Sequence, residues 1–133
     1  MNEWSELAEH VAATYVPWSP GPAGPPSLKV VVALDEGRSQ VVVLSPLEMD
    51  DGVWVELFTP VAQEHEIDGR SLLLQNCKIT VGAFALTEAG MIVFRYCLPL
   101  SDLTAGMLDT AVGIVADYAD RVEMIATAGE DVF

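Results

Sequence analysis

The chain has 133 residues, 51% of them hydrophobic, and carries six Lys and Arg against twenty Asp and Glu for a formal charge of −14. That length suits a single domain over residues 1–133, with enough apolar material for a core that needs no disulfide or metal. The charge leaves no basic footprint for nucleic acid and disfavours an anionic membrane surface, and no apolar run approaches the roughly 20 residues that span a bilayer.

Trp4, Leu7, Ala8, Val11, Ala12 and Tyr15 recur at spacings of three and four, which predicts a first helix. Asn2 is its candidate cap and Pro17 its stop. Residues 17–27 form a Pro-rich loop. Its stiffness suits a spacer, and its composition also fits a ligand for a polyproline-binding domain. Three short strands follow at Leu28–Leu34, Gln40–Ser45 and Val53–Phe58. Turns at Asp35–Arg38 and Asp50–Gly52 separate them, which predicts an antiparallel meander. Asp68 then caps a short helix running to about Cys77. Leu72, Leu73 and Leu74 cover a wide arc of that helix, so it is buried on more than one side, within the domain or against a partner.

Thr80–Thr87 and Met91–Leu98 flank Glu88-Ala89-Gly90 as a hairpin, with Gly90 suited to positive φ. In its second strand, Ile92, Phe94, Tyr96 and Leu98 share one face, and Met91, Val93, Arg95 and Cys97 the other. Ser101 or Asp102 caps the last helix, whose apolar residues are Leu103, Met107, Ala111, Ile114, Tyr118, Val122 and Ile125. Asp109, Asp117, Asp120 and Glu123 fall on or near its other side, and a frayed tail follows Gly129. The order α-β-β-β-α-β-β-α predicts an α+β fold: a five-stranded, mostly antiparallel sheet with helices on one side.

Chemistry is sparse. His10 lies on the polar side of the first helix, and His65 sits among carboxylates in a solvated loop with no nucleophile in a recognisable motif. Cys77 and Cys97 are too far apart for a zinc pattern, and their apolar contexts read as buried free thiols. Met49-Asp50-Asp51-Gly52 lacks the alternating oxygens and closing Glu of a calcium loop. Gly21 and Gly24 lie among prolines, which is no phosphate loop. The sequence therefore predicts no enzyme, no cofactor and no metal. The opening Met1-Asn2-Glu3-Trp4-Ser5-Glu6 lacks a basic region followed by an apolar stretch, so a cytoplasmic location is expected. Trp54 and Phe58 share one face of the third strand with Glu56, a mixture that fits either core packing or a half-exposed apolar surface.

In element order and apolar positions the chain resembles the YbjN family of small bacterial proteins. Phe58-Thr59-Pro60-Val61, Leu72–Asn76, Gly82–Leu86 and Ile92–Leu100 carry the likeness, which covers about the C-terminal two-thirds. The Pro-rich loop departs from the pattern. The resemblance implies the fold of the class I type III secretion chaperones, which are acidic homodimers that hold partner proteins in extended form over apolar patches. It also implies a chaperone-like or regulatory role without catalysis. The family has no fixed functional motif, so the candidate residues come from pattern alone: Trp54, Phe58, Leu72, Leu73 and Leu74, as a protein-binding or dimer surface. The expected partner is a protein or extended peptide segment, held against apolar surface or by strand addition at a sheet edge. The charge supports an alternative, an acidic immunity or inhibitor protein that neutralises a basic partner. A small-molecule sensor with a pocket between sheet and last helix is a third possibility.

Overall fold

A computed structural model of the chain describes residues 1–17 and 27–128, the side chains of 124–128 excepted. Most of the Pro-rich loop, the tail after Ala128 and the place of the Ile125 side chain lie outside the described residues. Helix α1 spans Trp4–Thr14, and the strands are β1 (Val16–Pro17), β2 (Leu28–Ala33), β3 (Ser39–Met49) and β4 (Gly52–Gln63). Helix α2 (Gly69–Asn76), strands β5 (Ala83–Leu86) and β6 (Met91–Pro99) and helix α3 (Ala105–Ala128) complete the order. All pairings are antiparallel, in the sheet order β1-β2-β3-β4-β6-β5. The five expected strands are present, and β1 adds a two-residue rung at one edge. Its Pro17, expected to open the loop, sits opposite Val30. Proline has no N–H to donate, which is tolerated on an edge strand.

Alternation within each strand decides the faces. Val30 of β2, Val42 and Leu44 of β3, Val55 and Leu57 of β4, and Ile92 and Phe94 of β6 are buried beneath the helices. α3 lies across β2, β3, β4 and β6 and contributes Leu108, Ala111, Val112, Val115, Ala116, Ala119 and Val122 to this core. Leu7 and Val11 of α1 and Leu72 of α2 enter it from the sides. Burying each of the larger side chains contributes about 1.5–3 kcal/mol. Aromatic rings tie the layers together. Phe84 meets Phe94 edge-on at 5.0 Å, Phe94 stacks on Tyr118 at 5.1 Å, and the Arg121 guanidinium lies 4.8 Å from the centre of the Tyr118 ring.

Three details differ from expectation. Asn2 does not cap α1: its side-chain oxygen accepts from the Asp102 N–H, binding the N-terminus to the loop before α3. α3 starts after Thr104, whose hydroxyl accepts from the Met107 N–H, while Asp102 has φ 62° and belongs to the preceding turn. The buried stripe of α3 runs through Leu108, Val112, Val115, Ala119 and Val122, so Met107 is 48% exposed and Ile114 and Tyr118 lie on its flank. Alanines widened the apolar arc on one side, and the sequence pattern alone did not say which edge of that arc met the sheet.

Asp120 is another surprise: it is buried, not solvated. Arg38 Nε donates to both of its oxygens, at 3.3 and 3.0 Å. Beside it, the Thr59 hydroxyl donates to Gln40 Oε1, and Gln40 Nε2 donates to Glu123. Among the described residues no buried side-chain polar atom lacks a hydrogen bond, so these groups avoid the cost of unpaired burial.

Candidate functional site

The five residues singled out in the sequence fall on two surfaces. Trp54 and Phe58 lie on the sheet face away from the helices, each half-buried. The register brings Phe58 opposite Val43 on one side and Arg95 on the other, and Trp54 opposite Leu47 and Pro99. Val43 and Val93 are buried but stand apart from the main core, because they belong to this opposite face. With half-buried Val31 and Val41 they make an apolar band across four strands around Phe58.

A polar cluster adjoins the band. Arg95 Nε and an Nη both donate to Glu56 Oε2, at 3.1 and 2.6 Å, and the Nη also reaches Cys97 Sγ at 3.2 Å. The Glu56 hydrogen bonds hold the Arg95 guanidinium charged beyond its ordinary range, against the effect of burial. Burial pushes the Cys97 thiol up, with Arg95 pulling the other way. The expectation of two buried thiols is thus corrected. Strand alternation turns Cys97 onto the open face, and Cys77, just past the last turn of α2, is exposed.

The second surface is on the helix side, where α2 flanks β5. The Asp68 side chain accepts from the Arg70 N–H and caps α2. Of the three leucines, Leu72 turns into the core, whereas Leu73 is 69% and Leu74 49% exposed. The expected burial on more than one side is therefore not met within this chain. A cavity of about 490 Å³ opens between α2 and β5, lined by Ile67, Leu72, Leu73, Phe84, Leu86 and Ile92, with Glu64 and Asp68 at its rim. Leu86 is 55% exposed beside it. The signal that would have added Leu86 is its place at the end of β5, which depends on where that strand begins.

One polar constellation joins α1 to α3. His10 Nε2 and the Tyr15 hydroxyl both donate to Asp109 Oδ1, at 2.9 and 2.7 Å. Burial pushes the Asp109 carboxyl up, and the hydrogen bonds from His10 and Tyr15 outweigh it, so the net shift is down. Burial and the same contact hold the Tyr15 hydroxyl well above its ordinary value of 10.0. The three groups tie the first helix and the residue after it to α3 and act as a clasp. Among the described residues no group of three or more His, Cys, Asp or Glu side chains is placed to hold a metal ion, and no helix is long and apolar enough to cross a membrane. His65 is exposed in a short turn after β4.

No protein-family model and no curated protein matches the chain, so the YbjN likeness rests on the pattern of residues alone. Solved structures do match. A chain of the ExsC–ExsE complex superposes with a TM-score of 0.64 at 16% identity, covering 95% of this chain and 97% of that one. A chain of the HopA1–SchA chaperone–effector complex gives 0.63 at 14% identity, with 92% and 95% covered. The structure of the Yersinia pestis type III secretion chaperone SycH with a stable fragment of YscM2 gives 0.58 at 17%, with 90% and 99% covered. At these identities the likeness establishes the fold: this chain has the α+β architecture of the secretion-chaperone structures.

Proposed function

We propose that this protein is a non-enzymatic, chaperone-like binding module that holds an extended segment of a partner protein. The observation that carries the reading is a pair of apolar surfaces outside the main core: the half-buried band around Phe58 and Trp54 on the sheet face away from the helices, and the exposed α2 leucines beside β5. Isolated exposed apolar residues are ordinary, but contiguous patches of them mark interaction surfaces. The shared fold with chains from structures of complexes with protein partners supports the same reading. In it, the sheet face takes the partner segment, whose apolar side chains lie along the band while Glu56 and Arg95 meet its polar groups. Leu73, Leu74 and Leu86 join two copies of the chain into a homodimer, which places them out of water.

The charge of −14 favours a partner segment rich in Lys and Arg between its apolar residues. Capture from an extract of the source cell with wild type and with Trp54→Asp tests the reading. The expected result is a partner that wild type retains and Trp54→Asp loses, with fast amide exchange throughout the bound partner outside the contact segment. A folded partner bound equally by both chains, and released by modest salt, would instead favour the acidic inhibitor reading.

A further inference from the structure

Asn76 is the last residue of α2, and its side-chain amide faces the free edge of β5. The Phe84 N–H donates to Asn76 Oδ1 at 2.8 Å, and Asn76 Nδ2 donates to the Phe84 carbonyl at 3.1 Å. In antiparallel pairing, residues alternate between those bonded to the neighbouring strand and those whose backbone groups point away from it. Phe84 and Phe94 face each other across β5 and β6, and both Phe84 groups are taken by Asn76, so Phe84 points to the edge. The Thr87 N–H donates to the Met91 carbonyl, which fixes the same parity: 83, 85 and 87 face β6, while 84 and 86 face outward. β5 thus has two edge-facing positions, and one of them is fully occupied by a side chain that carries the donor and acceptor of a peptide unit.

An unpaired edge is a template for another strand, and proteins close such edges by covering or interrupting them. β5 has no proline, and its side chains Ala83, Phe84, Ala85 and Leu86 are all uncharged, so composition does not protect it. We propose that Asn76 closes the β5 edge against strand pairing, so that contacts at this end of the sheet form through side chains and two sheets do not merge across it. A second copy of the chain meeting α2 and β5 would pack on Leu73, Leu74 and Leu86 without extending the ladder. The closure holds whether or not two copies meet there, because its hydrogen bonds lie within one chain.

The test compares wild type with Asn76→Ala by amide hydrogen exchange and by light scattering over a range of concentrations. Loss of the partner amide speeds exchange of the Phe84 N–H on the order of tenfold or more. The mass of the variant also rises with concentration above that of wild type. The reference is the mass wild type itself shows, so the result is separable from the fate of the proposed dimer. Adding Ala85→Lys, which places a charge on the edge strand, returns the mass to the wild-type value while Phe84 exchange stays fast. Asn76→Ser, too short to reach both backbone groups, gives the same readings should the alanine chain fold poorly. Unchanged protection at Phe84 overturns the proposal. So does faster exchange with a mass equal to wild type at every concentration, which reduces Asn76 to a staple between α2 and β5.

Discussion

A Cβ at position 82 would lie 2.6 Å from Phe94 Cζ and 3.0 Å from the Arg95 carbonyl, and the backbone there has φ +75°. Glycine is needed for both reasons, since any side chain meets the buried ring and the left-handed conformation is unfavourable without it. Gly82→Ala is expected to cost on the order of 2–3 kcal/mol, read as a lower urea midpoint. The clasp on Asp109 gives a second prediction at this scale. A carboxyl held below its ordinary value of 3.8 stabilises the fold above the unfolded pKa, and that stability is lost as pH falls through the folded value. A tyrosine held above 10.0 acts in the opposite sense: its contribution is full below 10.0 and lost as pH rises beyond it. The contributions of Asp109 and Tyr15 to thermal stability should therefore fall away in acid and in alkali respectively. Asp109→Asn should flatten the acid side and lower stability by about 1–2 kcal/mol near neutral pH. None of this clasp was legible in the sequence. His10, Tyr15 and Asp109 each read as ordinary helix residues, and only the packing of α1 on α3 brings them together. Gly82 likewise showed no distinguishing pattern, because its constraint comes from Phe94, twelve positions away in the chain.

Strand alternation was the most informative signal at the level of elements. It placed Trp54, Glu56 and Phe58 on one face of β4 and separated Phe94 from Arg95 on β6, as observed. What it left open was which face the helices cover, and that choice put Cys97 on the open side. Periodicity in α3 found the helix but not the centre of its buried stripe, since small alanines extend the apolar arc. The three leucines of α2 predict cover on more than one side, within the domain or by a partner; within the chain Leu72 alone reaches the core. The remaining two define the surface assigned to the dimer. Leu73→Asp and Leu74→Asp should change the unfolding free energy of a dilute chain by no more than about 0.5 kcal/mol, because both positions already face water. Urea unfolding at low protein concentration checks this. A large loss would mean that these side chains serve the fold and not an interface.

At the scale of the whole molecule, the element order and the charge carried most of the meaning. The order α-β-β-β-α-β-β-α was readable because turns rich in Asp, Glu and Gly separate short β-branched runs. The fold built on it, with the rung β1 added, superposes on the secretion-chaperone structures at 14–17% identity. The binding surfaces were less legible, since an exposed Leu and a buried one look alike until the sheet order is known. We propose that the apolar surface left over from folding is covered by protein, the exposed leucines of α2 by a second copy of the chain and the band around Phe58 by a partner segment. Solution mass by light scattering at micromolar concentration tests this most directly. The expected result is twice the chain mass of 14.3 kDa for wild type and a single chain mass for Leu73→Asp. A wild-type mass of 14.3 kDa at every concentration, or a dimer indifferent to Leu73→Asp, would contradict it.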